Sequence, residues 1–313
     1  AGPDGPCGRV LTRFGDEPRS EAAVLRFLAA VHQVVLAGDA PDLATHYPSA
    51  GGTPGPAVGD AFVATVAEHH DRVVELTALP IQTNEVGRSA ALVGGLAVVA
   101  GTGLGLRLLE LGASAGLNTR IDRYRYETGG RGLGPVGAAV RFVDPWGTGP
   151  TPRLDVDLPV VERRACDRAP LDPLRADDGL RLRACLWPDQ PDRRRRLDAA
   201  LGTAAEVDLV VERARAGDWM AEQLATPVPG TATVVMHSIV AQYLDADERD
   251  AMVGAIAAAG ERATRSAPVA WLRMEPASDR EAEVRLTLWP EPAPVRTHVL
   301  ARCGFHGPPV SWR

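Results

Sequence analysis

The sequence predicts an α/β protein with a mostly parallel sheet, an antiparallel hairpin at its C-terminal end and a helical region before the sheet. Short apolar runs alternate with helical segments from Arg107 to Met274, which is the order of a parallel sheet covered by helices. Two extended runs near the end of the chain are joined by the proline-rich residues 290–294 and predict the hairpin. Residues 20–100 carry helical periodicity instead.

The first elements are expected to be helices. One helix is predicted over residues 20–36, with Ser20 as its N-cap and Val24, Leu28, Val31 and Val35 on its apolar stripe. Residues 38–59 are rich in glycine and proline and predict a loop. A second helix is expected over residues 60–78, and an apolar third helix over residues 90–100.

The later elements are expected to be strands separated by helices. Strands are predicted at residues 107–111, 140–143, 160–166, 207–211, 231–236, 269–274, 283–288 and 297–301. Helices are expected to begin at Leu117, after Pro173, around the arginine run 193–196, near Asp218 and at Asp245, where Asp245 and Glu248 form a capping pair. The chain therefore divides into a helical cap, residues 1–104, and a sheet domain, residues 105–313, with an insertion at about 124–158.

Composition excludes several classes of function. The net charge of −6 is unfavourable for a nucleic-acid partner. All 34 basic residues are arginine, which rules out a catalytic lysine. The four cysteines are scattered, so we expect a reduced cytoplasmic setting and no structural metal site. We expect no signal peptide, and the uncharged run Ser89–Leu106 contains five glycines, so we interpret it as a buried helix and expect no membrane partner.

The stretch Arg107–Asn118 is the best candidate for a ligand site. A buried strand is followed by a turn of small residues, Gly112 to Gly116, and then by a predicted helix. Such a turn would present backbone N–H groups to an anion or a closely packed polar ligand. A glycine-rich corner without any ligand is the simpler interpretation. The G-x-G-x-G at Gly101–Gly105 is a weaker motif, because the segment after it is too short for a dinucleotide-binding helix.

Polar residues also crowd the segment just before the third helix. Gln82, Thr83, Asn84, Glu85 and Arg88 lie within residues 80–92. One interpretation is helix capping with a surface ion pair between Glu85 and Arg88. The other is a polar lid that reaches over the small-residue turn.

The small-residue turn allows two chemistries. Written E-x-G-x-S-x-G, it looks like the first motif of class I methyltransferases, with Glu110 closing the strand. Written G-x-S-x-G, it is a nucleophile elbow with Ser114 as a serine hydrolase nucleophile. The hydrolase would use Asp218 with His237, or Asp279 with His298. Against it, no oxyanion segment is recognisable in the sequence, and helices rather than strands precede the elbow.

Several segments together resemble a known family. The stretches QTNEVGR, LLELGASAGLN, DRYRY, ACDRAPLD, LWPDQ and VVMHSIVAQYL, within residues 80–313, are similar to a bacterial family of unknown function that is common in actinobacteria. That family is grouped with class I S-adenosylmethionine-dependent methyltransferases. The resemblance implies a Rossmann-like sheet of the class I methyltransferase type, S-adenosylmethionine as cofactor and a small-molecule methyl acceptor.

The resemblance also implies roles for individual residues. Glu110 would lie near the methionine amino group, and Asp167 would bind the ribose hydroxyls. Asp218 would meet the adenine amine, with Trp219 packed beside the ring. The residues against the cofactor would be Gly112, Ser114, Gly116 and Asn118. Ser114 departs from the usual pattern, in which glycine is commoner, and its side chain would narrow the pocket.

The candidate catalytic residues are His237, Glu85 and Tyr124. His237 would face the sulfonium and the acceptor as a base, because histidine titrates near neutral pH. Glu85 and Tyr124 would line the acceptor side, together with Asn84 and Tyr126. A domain that binds a ligand without turnover is the third possibility. The sequence carries no signal for the oligomeric state.

Overall fold

The computed structural model describes residues 2, 4–14, 22–291 and 294–313. The chain divides into two compact units, of which unit 1 is Ala1–Thr83 with Pro173–Asp198 and unit 2 is Asn84–Asp172 with Ala199–Arg313. This division differs from the predicted boundary between residues 104 and 105. The helix before the sheet groups with unit 2 because it packs on the strands, and residues 173–198 group with the N-terminal helices.

The elements that the structure describes are numbered in chain order. The α-helices are α1 Pro6–Leu11, α2 Ala23–Ala37, α3 Pro41–Ala44, α4 Val58–Glu68, α5 His70–Thr77, α6 Arg88–Ala100, α7 Ala176–Ala184, α8 Pro191–Ala204, α9 Ala216–Gln223 and α10 Ala246–Glu261. The strands are β1 Gly105–Leu111, β2 Arg125–Thr128, β3 Arg131–Leu133, β4 Arg141–Val143, β5 Val160–Asp167, β6 Val211–Arg213, β7 Thr231–Ser238, β8 Val269–Pro276, β9 Ala282–Trp289, β10 Thr297–Gly304 and β11 Gly307–Trp312.

Unit 1 is helical, and its core forms around α2. Phe27, Val31 and Val35 of α2 are buried against apolar residues of α4 and α5. Val24 does not belong to this stripe, because it is 53% exposed. The predicted helix over residues 60–78 is interrupted at His69, whose backbone is not helical. The proposed cap Ser20 lies outside the residues that the structure describes.

Unit 2 is built on a large mostly parallel sheet with antiparallel strands at its C-terminal end, as predicted. The strands lie in the order β11-β10-β9-β8-β7-β1-β5-β6. The pairs from β6 to β8 are parallel, and the pairs from β8 to β11 are antiparallel. In chain order the five parallel strands therefore read 3-2-1-4-5, which is the doubly wound order with its reversal between β1 and β7.

Two strand predictions need correction. The strand predicted at residues 207–211 lies at Val211–Arg213, because those residues pair with the end of β5. A further strand, β11, was not predicted and pairs with β10 beyond the expected hairpin.

The α6 helix explains the uncharged run before β1. Ten of its thirteen residues are buried, including Leu92, Val93 and Leu96. It contacts the five strands from β7 to β11 and also contacts β1. Among the described residues no helix is long and apolar enough to cross a membrane.

The segment after β1 differs from the expectation. Instead of an α-helix from Leu117, a six-residue 3-10 helix spans Asn118–Arg123, and Arg120 within it has a non-helical φ of −97°. The insertion then forms a separate three-stranded sheet of β3, β2 and β4, in which only β4 had been predicted. A helix this short provides no extended dipole at the small-residue turn, so the expected anion site at a helix N-terminus is not formed there.

Candidate functional site

The carboxyl ends of the parallel strands bring the sequence candidates to one edge of the sheet. The small-residue turn, residues 112–116, follows β1, and Asp167 ends β5. His237 lies near the end of β7, and Asp218 lies in the first turn of α9 after β6. Ligands of open α/β sheets bind outside this edge at the point where the strand order reverses. We refer to this edge, with the segment Asn84–Arg88, as the rim.

The backbone N–H groups of the small-residue turn are already bonded to the chain's own side chains. The Ser114 N–H donates to Oδ2 of Asp167 at 2.9 Å. The N–H groups of Ala115 and Leu117 donate to Oδ1 of Asn84 at 3.2 and 3.0 Å. The expectation of bare amides is therefore wrong for this conformation. The polar segment before α6 does reach over the turn, as one of the two interpretations predicted, but it binds the turn itself.

Two glycines of the turn are required by packing. A Cβ on Gly112 would lie 2.5 Å from Cγ2 of Val240, and one on Gly116 would lie 2.8 Å from Cδ2 of Leu209. Both glycines have positive φ angles, 61° and 68°, which side chains rarely adopt. The side chains of Val240 and Leu209 therefore occupy the space beside these glycines, where a ligand was expected.

Replacing Gly112 by alanine is expected to lower the free energy of unfolding by about 2–4 kcal/mol, because the change adds both left-handed strain and a clash. Urea unfolding measures this loss. In the double variant Gly112→Ala/Val240→Ala the clash is removed, so part of the loss should be recovered. A loss below about 0.5 kcal/mol in the single variant would mean that neither the left-handed strain nor the clash with Val240 is present.

Glu110 is a buried carboxyl group at the end of β1. It is 3% exposed, and the Thr119 hydroxyl forms a short hydrogen bond with its Oε2. Burial raises the pKa of Glu110 to about 8, although the hydrogen bond from Thr119 and the charge of Arg120 act in the opposite direction. Glu110 is therefore largely neutral at pH 7 and would ionise when a cation bound beside it.

His237 is held by two neighbours. The indole N–H of Trp271 donates to its Nε2 at 3.0 Å, so its proton lies on Nδ1, which donates to Oε1 of Glu275 at 2.6 Å. Burial raises the pKa of Glu275, but the hydrogen bonds from His237 and the Val240 N–H outweigh it, so that the pKa is lowered. Both ring nitrogens of His237 are engaged, and the residue is 2% exposed. His237 would act as a base only after the bond from Trp271 broke.

The candidates for binding ribose and adenine differ in exposure. Asp167 accepts from the N–H groups of Ser114 and Ala169, at 2.9 and 2.8 Å. Asp218 is exposed on α9. Trp219 is 2% exposed and packs in the apolar core with Leu109 and Met252, so it does not lie beside a ligand at the surface.

The residues expected on the acceptor side form hydrogen bonds within the protein, at or near the rim. The Glu85 carboxylate accepts from the Gly87 N–H at 2.9 Å, which caps the start of α6. The Asn118 side chain donates to the Glu85 carbonyl oxygen at 3.2 Å. Tyr124 is fully buried and donates to the Leu117 carbonyl oxygen at 2.5 Å, while burial raises its pKa far above the ordinary value. Glu85 and Tyr124 thus have structural partners in this conformation.

Three buried acceptor atoms at the rim lack hydrogen-bond partners. They are Ser114 Oγ, Asn118 Oδ1 and Glu275 Oε2. Buried polar atoms are nearly always hydrogen bonded, so unpaired acceptors in one region mark a place where a donor would be stabilised. A ligand that carries hydroxyl or ammonium groups would satisfy them.

No hydrolase triad is formed in the described part of the chain. The Ser114 hydroxyl has no hydrogen-bond partner, and both nitrogens of His237 are bonded elsewhere. The alternative residues Asp279 and His298 form surface contacts with Arg280 and Glu291, at 3.9 and 3.8 Å.

Sequence reasoning missed two partners at the rim. Glu275 holds His237, and it could have been found because it follows an apolar run near the end of a predicted strand. Thr119 binds Glu110, and no local pattern points to it, since it was expected within a regular helix. The contact exists because the 3-10 helix turns Thr119 back towards β1.

Comparison with known proteins yields one match. A family model described as an uncharacterized protein conserved in bacteria (DUF2332) matches residues 2–312. No curated protein matches the chain, and no solved structure does. The match extends well before residue 80, where the resemblance began, and its description names no methyltransferase.

Proposed function

We propose that this chain, which belongs to the DUF2332 family of bacterial proteins, binds S-adenosylmethionine at the rim and transfers the methyl group to a small-molecule acceptor. The observation that carries the proposal is the strand order. The reversal between β1 and β7 lies beside Glu110 and the small-residue turn. Open α/β sheets bind their ligands at such a reversal, and dinucleotides in Rossmann folds are bound there.

The charges and unpaired acceptors at the rim support a ligand with several donor groups. S-adenosylmethionine carries an ammonium group, a ribose diol and an adenine amine. Glu110 would bind the ammonium group, Asp167 the ribose and Asp218 the amine. The unpaired acceptors of Ser114 and Asn118 follow Glu110 by four and eight residues and would accept from the same ligand.

Binding requires a local movement. Val240 packs on Gly112, so the segment 239–244 has to move away before a ligand can reach the turn. Methyl transfer then needs an acceptor held in line with the sulfonium methyl group. Removal of a proton by His237 would also require Trp271 to release Nε2.

The engagement of both nitrogens of His237 favours a second candidate, which is binding of the same ligand without methyl transfer. Incubation with methyl-labelled S-adenosylmethionine and a panel of small alcohols, amines and carboxylates separates the two. A labelled acceptor supports the methyltransferase, and binding without any labelled product across the panel supports the second candidate.

Calorimetric titration with S-adenosylhomocysteine tests the binding step. The variant Asp218→Asn is expected to bind about 10-fold more weakly, because the adenine amine loses a charged acceptor. Asp218 is exposed, so this variant should fold normally. Glu222→Gln, which makes the same charge change on the same helix, should bind like the unchanged protein. Absence of binding up to about 1 mM ligand would refute both candidates.

A further inference from the structure

Unit 1 contains a cavity that the proposed function does not use. Its volume is about 210 Å³, and its walls come from α2, the short helix at Pro48–Ala50, the end of α7 and one face of α8. All of the residues that line it belong to unit 1. The arginine run of residues 193–196, which the sequence presents as a solvated helix face, contributes two of its members, Arg194 and Arg195, to the lining.

The cavity combines an aromatic wall with guanidinium groups. The side chain of Trp187 lines it and is 41% exposed, and three prolines, Pro48, Pro188 and Pro191, also belong to the lining. The charged residues that line it are Arg183, Arg194, Arg195 and Asp198, and Arg195 forms a separate ion pair with Asp192. The Asp198 carboxylate accepts from Nε of Arg183 at 2.7 Å and from Nε of Arg194 at 2.8 Å. One carboxylate thus neutralises one of these two arginines, which leaves one net positive charge.

One donor in this group has no partner. Nη1 of Arg194 is buried and makes no hydrogen bond. His32 also lines the cavity, and its hydrogen bonds fit the neutral ring: its Nδ1 donates to the Ala184 carbonyl oxygen, and its Nε2 accepts from the Ser49 hydroxyl at 2.7 Å. Burial lowers the pKa of His32 to about 4, so it adds no charge near neutral pH. The net positive charge at Asp198 therefore comes from Arg183 and Arg194 and not from His32.

We propose that this cavity binds a small aromatic carboxylate, with its ring against Trp187 and its carboxylate on the guanidinium group of Arg194, whose buried Nη1 turns towards the ligand on binding. An apolar cavity of about 150 Å³ holds one benzene molecule, so 210 Å³ accommodates a ring with one carboxylate group. The guanidinium group has the planar geometry that carboxylates match. The ring supplies the apolar contact that a simple inorganic anion lacks.

Calorimetric titration of the full chain with benzoate tests this proposal. Benzoate should bind, and Arg194→Gln should weaken it by about 10-fold or more, because the charge-assisted hydrogen bond is lost. Arg196→Gln, a change in the same run at a residue that does not line the cavity, should leave the affinity unchanged. Benzamide, which keeps the ring without the charge, and inorganic phosphate, which has charge without the ring, should each bind about 10-fold more weakly.

A second measurement, made on the unchanged protein, tests the proposal even if the variant does not fold. In NMR spectra of the unchanged protein, benzoate should shift the indole N–H signal of Trp187, assigned through Trp187→Phe. The proposal is overturned if benzoate does not bind up to about 20 mM, if a folded Arg194→Gln binds it equally well, if phosphate binds as tightly, or if the Trp187 signal does not move. These outcomes are independent of S-adenosylhomocysteine binding, because the cavity and the rim share no residues.

Discussion

Replacing Glu110 by glutamine is expected to stabilise the protein increasingly as the pH rises. Burial raises the pKa of Glu110 from 4.5 to about 8. Between these two values the folded state holds a proton that the unfolded state has lost, so the free energy of unfolding falls as the pH increases. From about pH 5 to about pH 9 this group alone costs the unchanged protein on the order of 4 kcal/mol. Glutamine is uncharged, so the free energy of unfolding of the variant does not fall in this way as the pH rises.

Urea unfolding of both proteins at a series of pH values measures the effect. The quantity of interest is the difference in the free energy of unfolding between Glu110→Gln and the unchanged protein, because other titrating groups cancel in it. Glutamine can still hydrogen bond Thr119, so the packing is preserved. The exposed change Glu222→Gln serves as the control and should show a difference that is nearly constant with pH. A constant difference for Glu110→Gln as well would mean that Glu110 is already ionised in the folded protein.

Replacing Asn84 by alanine is expected to destabilise the protein by about 2–4 kcal/mol and to loosen the small-residue turn. The Asn84 side chain is the common acceptor for the N–H groups of Ala115 and Leu117. Alanine would leave both donors buried without a partner, at a cost of about 1–3 kcal/mol each. Partial entry of water would keep the total within the stated range.

Hydrogen exchange distinguishes this local effect from a general loss of stability. The N–H groups of Ala115 and Leu117 should exchange at least about 10-fold faster in Asn84→Ala, beyond the change seen for strand amides of β1. Gln82→Ala removes another buried amide from the same segment and should leave the exchange at residues 115 and 117 unchanged. If their exchange follows only the global stability in Asn84→Ala, then Asn84 does not hold the turn.

The large elements could be read from the sequence because their apolar patterns are local. The runs at 231–236 and 269–274 are strands, and the capping pair of Asp245 and Glu248 does begin α10, where the Glu248 N–H donates to the Asp245 carboxylate at 2.8 Å. The runs at 283–288 and 297–301 form the expected antiparallel pair. Continuous apolar runs, helical periodicity and capping residues can all be recognised without knowledge of distant residues.

Short elements were less predictable because their neighbours determine them. Residues 125–133 carry no strong strand pattern, yet they form β2 and β3, and β2 pairs with both β3 and β4 in a small sheet. After β1, a helical sequence from Leu117 gives way to a 3-10 helix in which Arg120 is buried and donates to the carbonyl oxygens of Gly116 and Val207, at 2.9 and 3.0 Å. Tertiary contacts here outweigh a propensity that is worth only tenths of a kcal/mol per residue.

The sequence alone predicts the class of fold, the small-residue turn after β1 and the strand ends at which Asp167 and His237 lie. It could do so because the order of apolar runs sets which strand ends share an edge. The contacts of these residues become known only from the folded chain. Asn84 and Asp167 bind the amides of the turn, Val240 packs on Gly112, Thr119 binds Glu110, and Glu275 and Trp271 bind His237. Those contacts join residues far apart in the chain, and hydrogen bonds between such residues leave no periodic trace in the sequence.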